Sequence, residues 1–185
     1  MPPIVTPHPT RPSPRDWMDS TIAKVSAGAI GVCALAALSA SATPARAAAL
    51  SLSVDVNGSP AAVWAVIGPF CAIKEWHPSI ATCTEDGGDP PIRTLVTRDG
   101  KTTFVEPQIA RNDVAHFYSY SFKSSPFPVK RYAATISVVP RGETGSTVIW
   151  RGVYVPKAGL QQEANDDFTA VYRTGLEAIR ARFAN

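Results

Sequence analysis

Apolar and polar positions alternate at the start of the patterned part of the chain. In residues 50–56 every second side chain is apolar, and this alternation predicts a β-strand. The apolar face contains Leu50, Leu52, Val54 and Val56. Ser59 is a good helix N-cap and Pro60 fits the first helical position, so a short helix is predicted over 61–67. A second short helix is predicted over 70–76, ahead of Pro78.

Strand-forming segments follow from residue 80 to residue 155. They are separated by turn sequences, and the hairpin signal Asp99-Gly100 joins the second segment to the third. The six predicted strands cover residues 80–85, 92–97, 102–110, 115–123, 131–139 and 146–155.

Residues 160–183 have the spacing of one long amphipathic helix, with charges opposite a stripe that contains Phe168 and Tyr172. The element order is therefore strand, two short helices, six strands and one long helix, which is an α+β class. Antiparallel hairpins need one face covered. The chain is predicted to form a seven-stranded antiparallel sheet curved around the C-terminal helix, with a pocket between them.

The first 47 residues differ from this pattern. Residues 1–17 are rich in proline and are interpreted as disordered or as a mis-annotated start. Residues 18–47 contain Lys24, an uncharged run over 25–38 and the small-x-small sequence Ala45-Arg46-Ala47, which together predict a secretory signal peptide. Cleavage after Ala47 would leave residues 48–185 as one domain in the periplasm or secreted. An uncleaved N-terminal anchor is the alternative.

The charge of the predicted mature domain excludes one class of partner. Residues 48–185 hold 14 Lys and Arg against 13 Asp and Glu, with no basic run. Nucleic-acid binding depends on clustered positive charge, so no nucleic-acid partner is expected.

Two cysteines, Cys71 and Cys83, remain in the mature segment. An even count in an exported chain predicts a disulfide between them. Two free thiols, or a metal pair completed by His77, are the alternatives, although a structural zinc site needs one more ligand. No phosphate-binding loop, nucleophile elbow or metalloprotease motif is present. We therefore expect no cofactor and no metal.

His77 and Glu106 are the candidate catalytic residues. Pro78 restricts His77 to extended geometry at a helix exit, where it would act as a base or ligand anchor, or would simply bond a backbone carbonyl. Glu106 shares its strand face with Phe104. If that face points inward, a buried Glu106 has a raised pKa and can serve as acid or base; the alternative is an ion pair with Arg93 or Arg98.

Aromatic residues alternate along three later strands. Such faces form either plain core or the apolar wall of a small-molecule site with a few hydroxyl groups. They contain Tyr118 and Tyr120, then Tyr132, then Trp150 and Tyr154.

Three local sequences resemble polyketide cyclase/dehydrase-type members of the START-like (SRPBCC) superfamily. They are Phe70-Cys71-Ala72-Ile73-Lys74-Glu75-Trp76-His77-Pro78, then Ser125-Pro126-Phe127-Pro128-Val129 followed by Tyr132, and lastly Val148, Trp150 and Tyr154. The resemblance spans about residues 50–183 and implies a helix-grip fold with an internal pocket. The resemblance, the strand faces and the helix stripe together define the expected ligand-binding residues. They are Trp76, His77, Phe104, Glu106, Tyr118, Tyr120, Tyr132, Trp150, Tyr154, Phe168 and Tyr172.

Three functions follow as hypotheses. The first is an exported binding or carrier protein for a hydrophobic small molecule, such as a lipid, a polyketide-like compound or an aromatic compound. The second is a polyketide cyclase or dehydratase that uses His77 or Glu106 for proton transfer. The third is an accessory protein of another exported enzyme, which would make an exported protein a partner. We expect a monomer or a weak dimer.

Overall fold

The computed structural model describes residues 46–184. One antiparallel sheet contains all seven strands in the spatial order β1-β7-β6-β5-β4-β3-β2. The strands are β1 Ala48–Val56, β2 Ile80–Glu85, β3 Ile92–Thr97, β4 Thr103–Asn112, β5 Phe117–Ser121, β6 Val129–Arg141 and β7 Gly145–Pro156. The helices are α1 Pro60–Ile67, a 3₁₀ turn Phe70–Ala72, α2 Ile73–Trp76 and α3 Gln161–Arg182. This is the predicted helix-grip fold.

The predicted fifth strand, 115–123, is longer than the observed β5. A turn replaces its first residues because His116 has a left-handed backbone with φ of 50°. The Asn112 side chain stabilises this turn by accepting a hydrogen bond from the backbone N–H of Ala115 at 2.8 Å. The alternation of inward residues therefore begins at Tyr118.

The long helix α3 lies close to the sheet because of a glycine. A Cβ at Gly175 would come within 2.7 Å of the His77 ring and 2.9 Å of the Trp150 ring. The buried residues of α3 share one stripe, as the helical spacing predicts: Ala164, Phe168, Tyr172, Gly175, Leu176 and Ile179. Helix α3 therefore fills much of the concave side of the sheet.

A disulfide joins Cys71, in the 3₁₀ turn, to Cys83 in β2, with the two Cα atoms 5.4 Å apart. The pair is therefore bonded, in place of the free thiols or metal pair considered above. Within residues 46–184, no three His, Cys, Asp or Glu side chains cluster as a metal site. Within the same range, no helix is both long enough and apolar enough to span a membrane.

Residues 1–45 lie outside the described part of the chain. The interpretation of 1–17 and the signal peptide over 18–47, with cleavage after Ala47, therefore remain predictions.

Candidate functional site

A cavity of about 190 Å³ lies between α3, α2 and the concave face of the sheet. Its wall is mainly apolar and aromatic, and its polar groups are few. The lining residues are Ile73, His77, Ser79, Ile80, Leu95, Thr97, Thr102, Phe104, Glu106, Tyr120, Phe122, Phe127, Tyr132, Trp150, Phe168, Val171 and Tyr172.

Most of the predicted binding residues line this cavity: His77, Phe104, Glu106, Tyr120, Tyr132, Trp150, Phe168 and Tyr172. Trp76, Tyr118 and Tyr154 are also buried but lie outside the lining. Tyr118 packs edge-on against Phe70, with ring centroids 5.4 Å apart. Strand alternation thus turns the expected faces inward, while the packing in front of each ring decides whether it reaches the cavity.

Two stacked aromatic pairs connect the sheet to α3. Tyr132 and Phe168 are 4.6 Å apart at an interplanar angle of 8°. Trp150 and Tyr172 are 4.4 Å apart, also at 8°. These two stacks pack α3 against the sheet on this side of the cavity.

Three tyrosine hydroxyls form a hydrogen-bonded chain inside the protein. The indole N–H of Trp150 donates to Oη of Tyr120 at 3.0 Å. Oη of Tyr120 lies 3.2 Å from Oη of Tyr132, which lies 2.7 Å from Oη of Tyr172. Burial raises the pKa of all three hydroxyls, so they stay protonated.

Glu106 is buried and paired with Arg93, which is fully buried. Oε2 of Glu106 accepts from Nε of Arg93 at 2.7 Å, and Nη2 lies equally near in an ion-pair contact without hydrogen-bond geometry. Nη1 of Arg93 donates to the Phe70 carbonyl at 2.5 Å, and the guanidinium stacks 4.1 Å from the Phe70 ring. The ion pair suggested as an alternative is therefore present, with Arg93 rather than Arg98.

The two charges of this pair depend on each other. Burial raises the pKa of Glu106, and the neighbouring Arg93 opposes that shift. The pKa of Arg93 is raised by Glu106 against the effect of burial. A buried guanidinium without a counter-ion is costly, so the ionised form of Glu106 balances it.

Both ring nitrogens of His77 are engaged by the protein. Nδ1 accepts from the backbone N–H of Ser79 at 3.2 Å. The proton therefore lies on Nε2, which donates to the Val171 carbonyl of α3 at 3.1 Å. Burial lowers the pKa of His77 from its ordinary value of 6.5, which favours this neutral form. His77 thus links α2 to α3 as a neutral ring.

The mouth of the cavity lies beside the β3–β4 hairpin. Ser79, Thr97 and Thr102 line both the cavity and an adjoining surface hollow that also contains Arg98 and Asp99. Thr97 is fixed there, since its hydroxyl contacts Asp99 at 2.6 Å. The cavity therefore adjoins the surface between the end of α2 and this hairpin.

The chain matches the family model described as polyketide cyclase / dehydrase and lipid transport over residues 47–184. It belongs to this family. No curated protein matches the chain.

Solved structures share the fold of this polyketide cyclase/dehydrase family member. Protein XoxI from Bacillus cereus is 34% identical, with a TM-score of 0.70 over 75% of this chain and 96% of that one. A protein from Thermobifida fusca is 30% identical, with a TM-score of 0.66 over 73% and 92% of the two chains. The ZhuI aromatase/cyclase from a Streptomyces species is 12% identical, with a TM-score of 0.63 over 75% and 94%, and it shares the fold alone.

Several cavity residues of this family member were not predicted. Phe127 belongs to a loop, where no alternation marks an inward side chain. Phe122 shares the parity of Tyr118 and Tyr120 in the predicted strand 115–123, but it was not counted among the binding residues. Arg93 does not line the cavity; it was considered only as a partner of Glu106, and the structure pairs the two residues across β3 and β4 and buries Arg93 completely. Arg93 and Glu106 are equally far along the chain from the Asp99-Gly100 turn, so a hairpin closed at that turn pairs them. This spacing was the available signal.

A second hollow, of about 480 Å³, lies on the outer side of the sheet. Its volume is larger than that of the internal cavity, but it is open to solvent. Its lining includes the exposed side chains of Lys130, Arg131 and Val153. The smaller internal cavity removes more of a small molecule from water, so it is the better candidate binding site.

Proposed function

We propose that this protein binds or carries a hydrophobic small molecule, such as a lipid, a polyketide-like compound or an aromatic compound, in its internal cavity. The observation that carries the proposal is an aromatic cavity of about 190 Å³ with few polar groups. Binding by the lining residues gains from burial of apolar surface, about 25 cal/mol per Å². Membership of a family described partly as lipid transport supports the same role.

Catalysis by a cyclase or dehydratase is the second candidate, and Glu106 is the residue that favours it. Its carboxylate lines the cavity and is held by Arg93. His77 is less suited to proton transfer, because the lone pair of Nδ1 accepts from Ser79 and the Nε2 proton is donated to Val171. Proton transfer in a catalytic role would therefore depend on Glu106 and the tyrosine hydroxyls.

We also propose that the protein acts outside the cytoplasm. The leader over 18–47 and the disulfide between Cys71 and Cys83 support export. Cell fractionation and an N-terminal sequence beginning at Ala48 test this part separately. Retention in the cytoplasm with an intact leader contradicts it.

Extraction of the protein purified from its natural host tests the binding role. Mass spectrometry of the organic extract is expected to find an apolar compound in near-stoichiometric amount. Thr102→Trp places an indole at the cavity mouth and should reduce that amount. Ile109→Trp is the matched control, since Ile109 is exposed and outside the cavity lining. Equal extracts from both variants would contradict the proposal.

Incubation of the extracted compound with fresh protein separates binding from catalysis. A carrier returns the compound unchanged, whereas an enzyme yields a product of different mass or retention. Product formation that is lost in Glu106→Gln, in protein that still folds, would favour the enzymatic reading.

A further inference from the structure

The volume of the cavity limits how much of a guest it can enclose. An apolar cavity of about 150 Å³ holds one benzene molecule. The present cavity, at about 190 Å³, is only moderately larger. A compound with one ring and one or two further heavy atoms fills this space, whereas a fused multi-ring compound would have to extend through the mouth beside Thr97 and Thr102.

The three tyrosine hydroxyls carry one more proton than the hydrogen bonds between them can accept. The hydroxyls of Tyr120, Tyr132 and Tyr172 carry one proton each, and only two contacts join them. Trp150 cannot take the remaining proton, because its indole N–H only donates. Whichever direction the chain runs, one hydroxyl proton has no acceptor among the residues that the structure describes. A buried donor of this kind calls for a partner.

The Tyr120 end of the chain is the end beside Glu106 in the cavity wall. Gln108 pairs with Tyr120 across β4 and β5. Glu106 lies two residues earlier on the same inward face and is therefore a diagonal neighbour of Tyr120. Glu106 acts on the hydroxyls of both Tyr120 and Tyr172, and Arg93 lies 4.9 Å from the Tyr120 ring, so charge alone does not select the end. The hydroxyl of Tyr172 lies against the backbone at Gly152, which leaves less space for a guest oxygen beside it than beside Tyr120.

Glu106 presents an acceptor to the same part of the cavity. Its Oε2 atom takes the Arg93 contacts. Oε1 has no hydrogen bond to any residue in the described range 46–184. An ionised carboxylate can only accept, so Oε1 is available to a donor on the guest.

We propose that the guest is a single-ring compound with a hydroxyl group, whose oxygen accepts from Tyr120 and whose proton is donated to Oε1 of Glu106. One hydroxyl satisfies both groups, because it is donor and acceptor at the same atom. A ketone or ether leaves Glu106 without a donor, and a hydrocarbon leaves both groups unsatisfied. This inference rests on the proposed binding function, since it requires an occupied cavity.

Three probes with equal numbers of heavy atoms test the inference on the full chain. Benzyl alcohol offers a donor and an acceptor, anisole only an acceptor, and ethylbenzene neither. A purely apolar cavity would favour ethylbenzene over the alcohol by roughly tenfold or more. We expect instead that calorimetric titration shows benzyl alcohol binding at least as tightly as ethylbenzene, with anisole weaker than the alcohol.

Three variants test the assignment to Tyr120. Tyr120→Phe should weaken benzyl alcohol by about tenfold, the value of one hydrogen bond, and leave ethylbenzene unchanged. Tyr172→Phe should keep the preference for the alcohol, because Tyr132 can still donate to Tyr120 and leave the Tyr120 proton free. Tyr154→Phe is the matched control, a buried tyrosine outside the lining whose hydroxyl donates to Asn165, and should change neither affinity.

The outcomes separate the inference from the function on which it rests. Tighter ethylbenzene binding in wild type, or an equal loss for both probes in Tyr120→Phe, overturns the hydroxyl assignment while binding itself stands. Failure of all three probes to bind contradicts both. The indole N–H resonance of Trp150 adds a readout besides affinity, since Trp150 donates to Tyr120. It should shift with benzyl alcohol in wild type.

Discussion

The hydroxyl of Tyr172 occupies the space that a side chain at Gly152 would fill. A Cβ atom built on Gly152 would collide with Oη of Tyr172 and lie 3.3 Å from Cε2 of Tyr132. The glycine in β7 thus leaves room for the last hydroxyl of the chain. The tyrosine chain therefore depends on a residue that makes no polar contact with it.

Gly152→Ala should displace the Tyr172 hydroxyl and break its bond to Tyr132. We expect a loss of about 1–3 kcal/mol in the free energy of unfolding, measured in urea. Tyr172→Phe supplies the matched background, because without the hydroxyl the alanine methyl has space. If Gly152→Ala costs as much in Tyr172→Phe as in wild type, the steric explanation is wrong.

Removing one member of the buried ion pair should be costly. Arg93→Met leaves the Glu106 carboxylate without its partner, and about 3–5 kcal/mol of unfolding free energy should be lost. Arg93→Met combined with Glu106→Leu should regain much of it. Arg141→Met, at an exposed pair with Asp55 whose atoms are 3.5 Å apart, is the control and should cost less than about 1 kcal/mol. A small effect at Arg93 would show that the pair is not tightly coupled.

The disulfide should stabilise the folded domain. Cys71 and Cys83 are 12 residues apart, so closing this loop contributes about 3 kcal/mol in the chain-entropy model. Cys71→Ser combined with Cys83→Ser should lower the unfolding free energy by about this amount. Alkylation without reductant should leave the mass of the mature domain unchanged, whereas two added alkyl groups would refute the bond.

His77 should make the protein less stable in mild acid. Burial lowers its pKa below the ordinary value of 6.5, so the unfolded chain binds more protons there than the folded chain. The stabilisation by the neutral ring is complete above about pH 6.5 and is lost as the pH falls below it. His77→Gln keeps an amide donor for Val171 and does not titrate. Denaturation curves should show the loss between about pH 7 and pH 5 in wild type and a smaller loss in the variant.

The sequence predicted the fold well because alternation and helical spacing are local. Parity alone put Phe104 and Glu106 on one face, and the structure turns that face inward and buries both. Parity could not separate Tyr118 from Tyr120, because only three-dimensional packing places Phe70 in front of Tyr118. The burial of Arg93 likewise follows from strand register and from the Phe70 contacts, which no local pattern encodes.

The location of a bound apolar probe tests the central claim most directly. Ethylbenzene should be added to isotope-labelled protein and its contacts mapped by intermolecular nuclear Overhauser effects. Binding in the internal cavity predicts contacts to Phe104, Trp150 and Phe168, which line it. Contacts confined to Ala133 and Val153 in the outer hollow, or no contacts at saturating probe, would contradict an internal binding site.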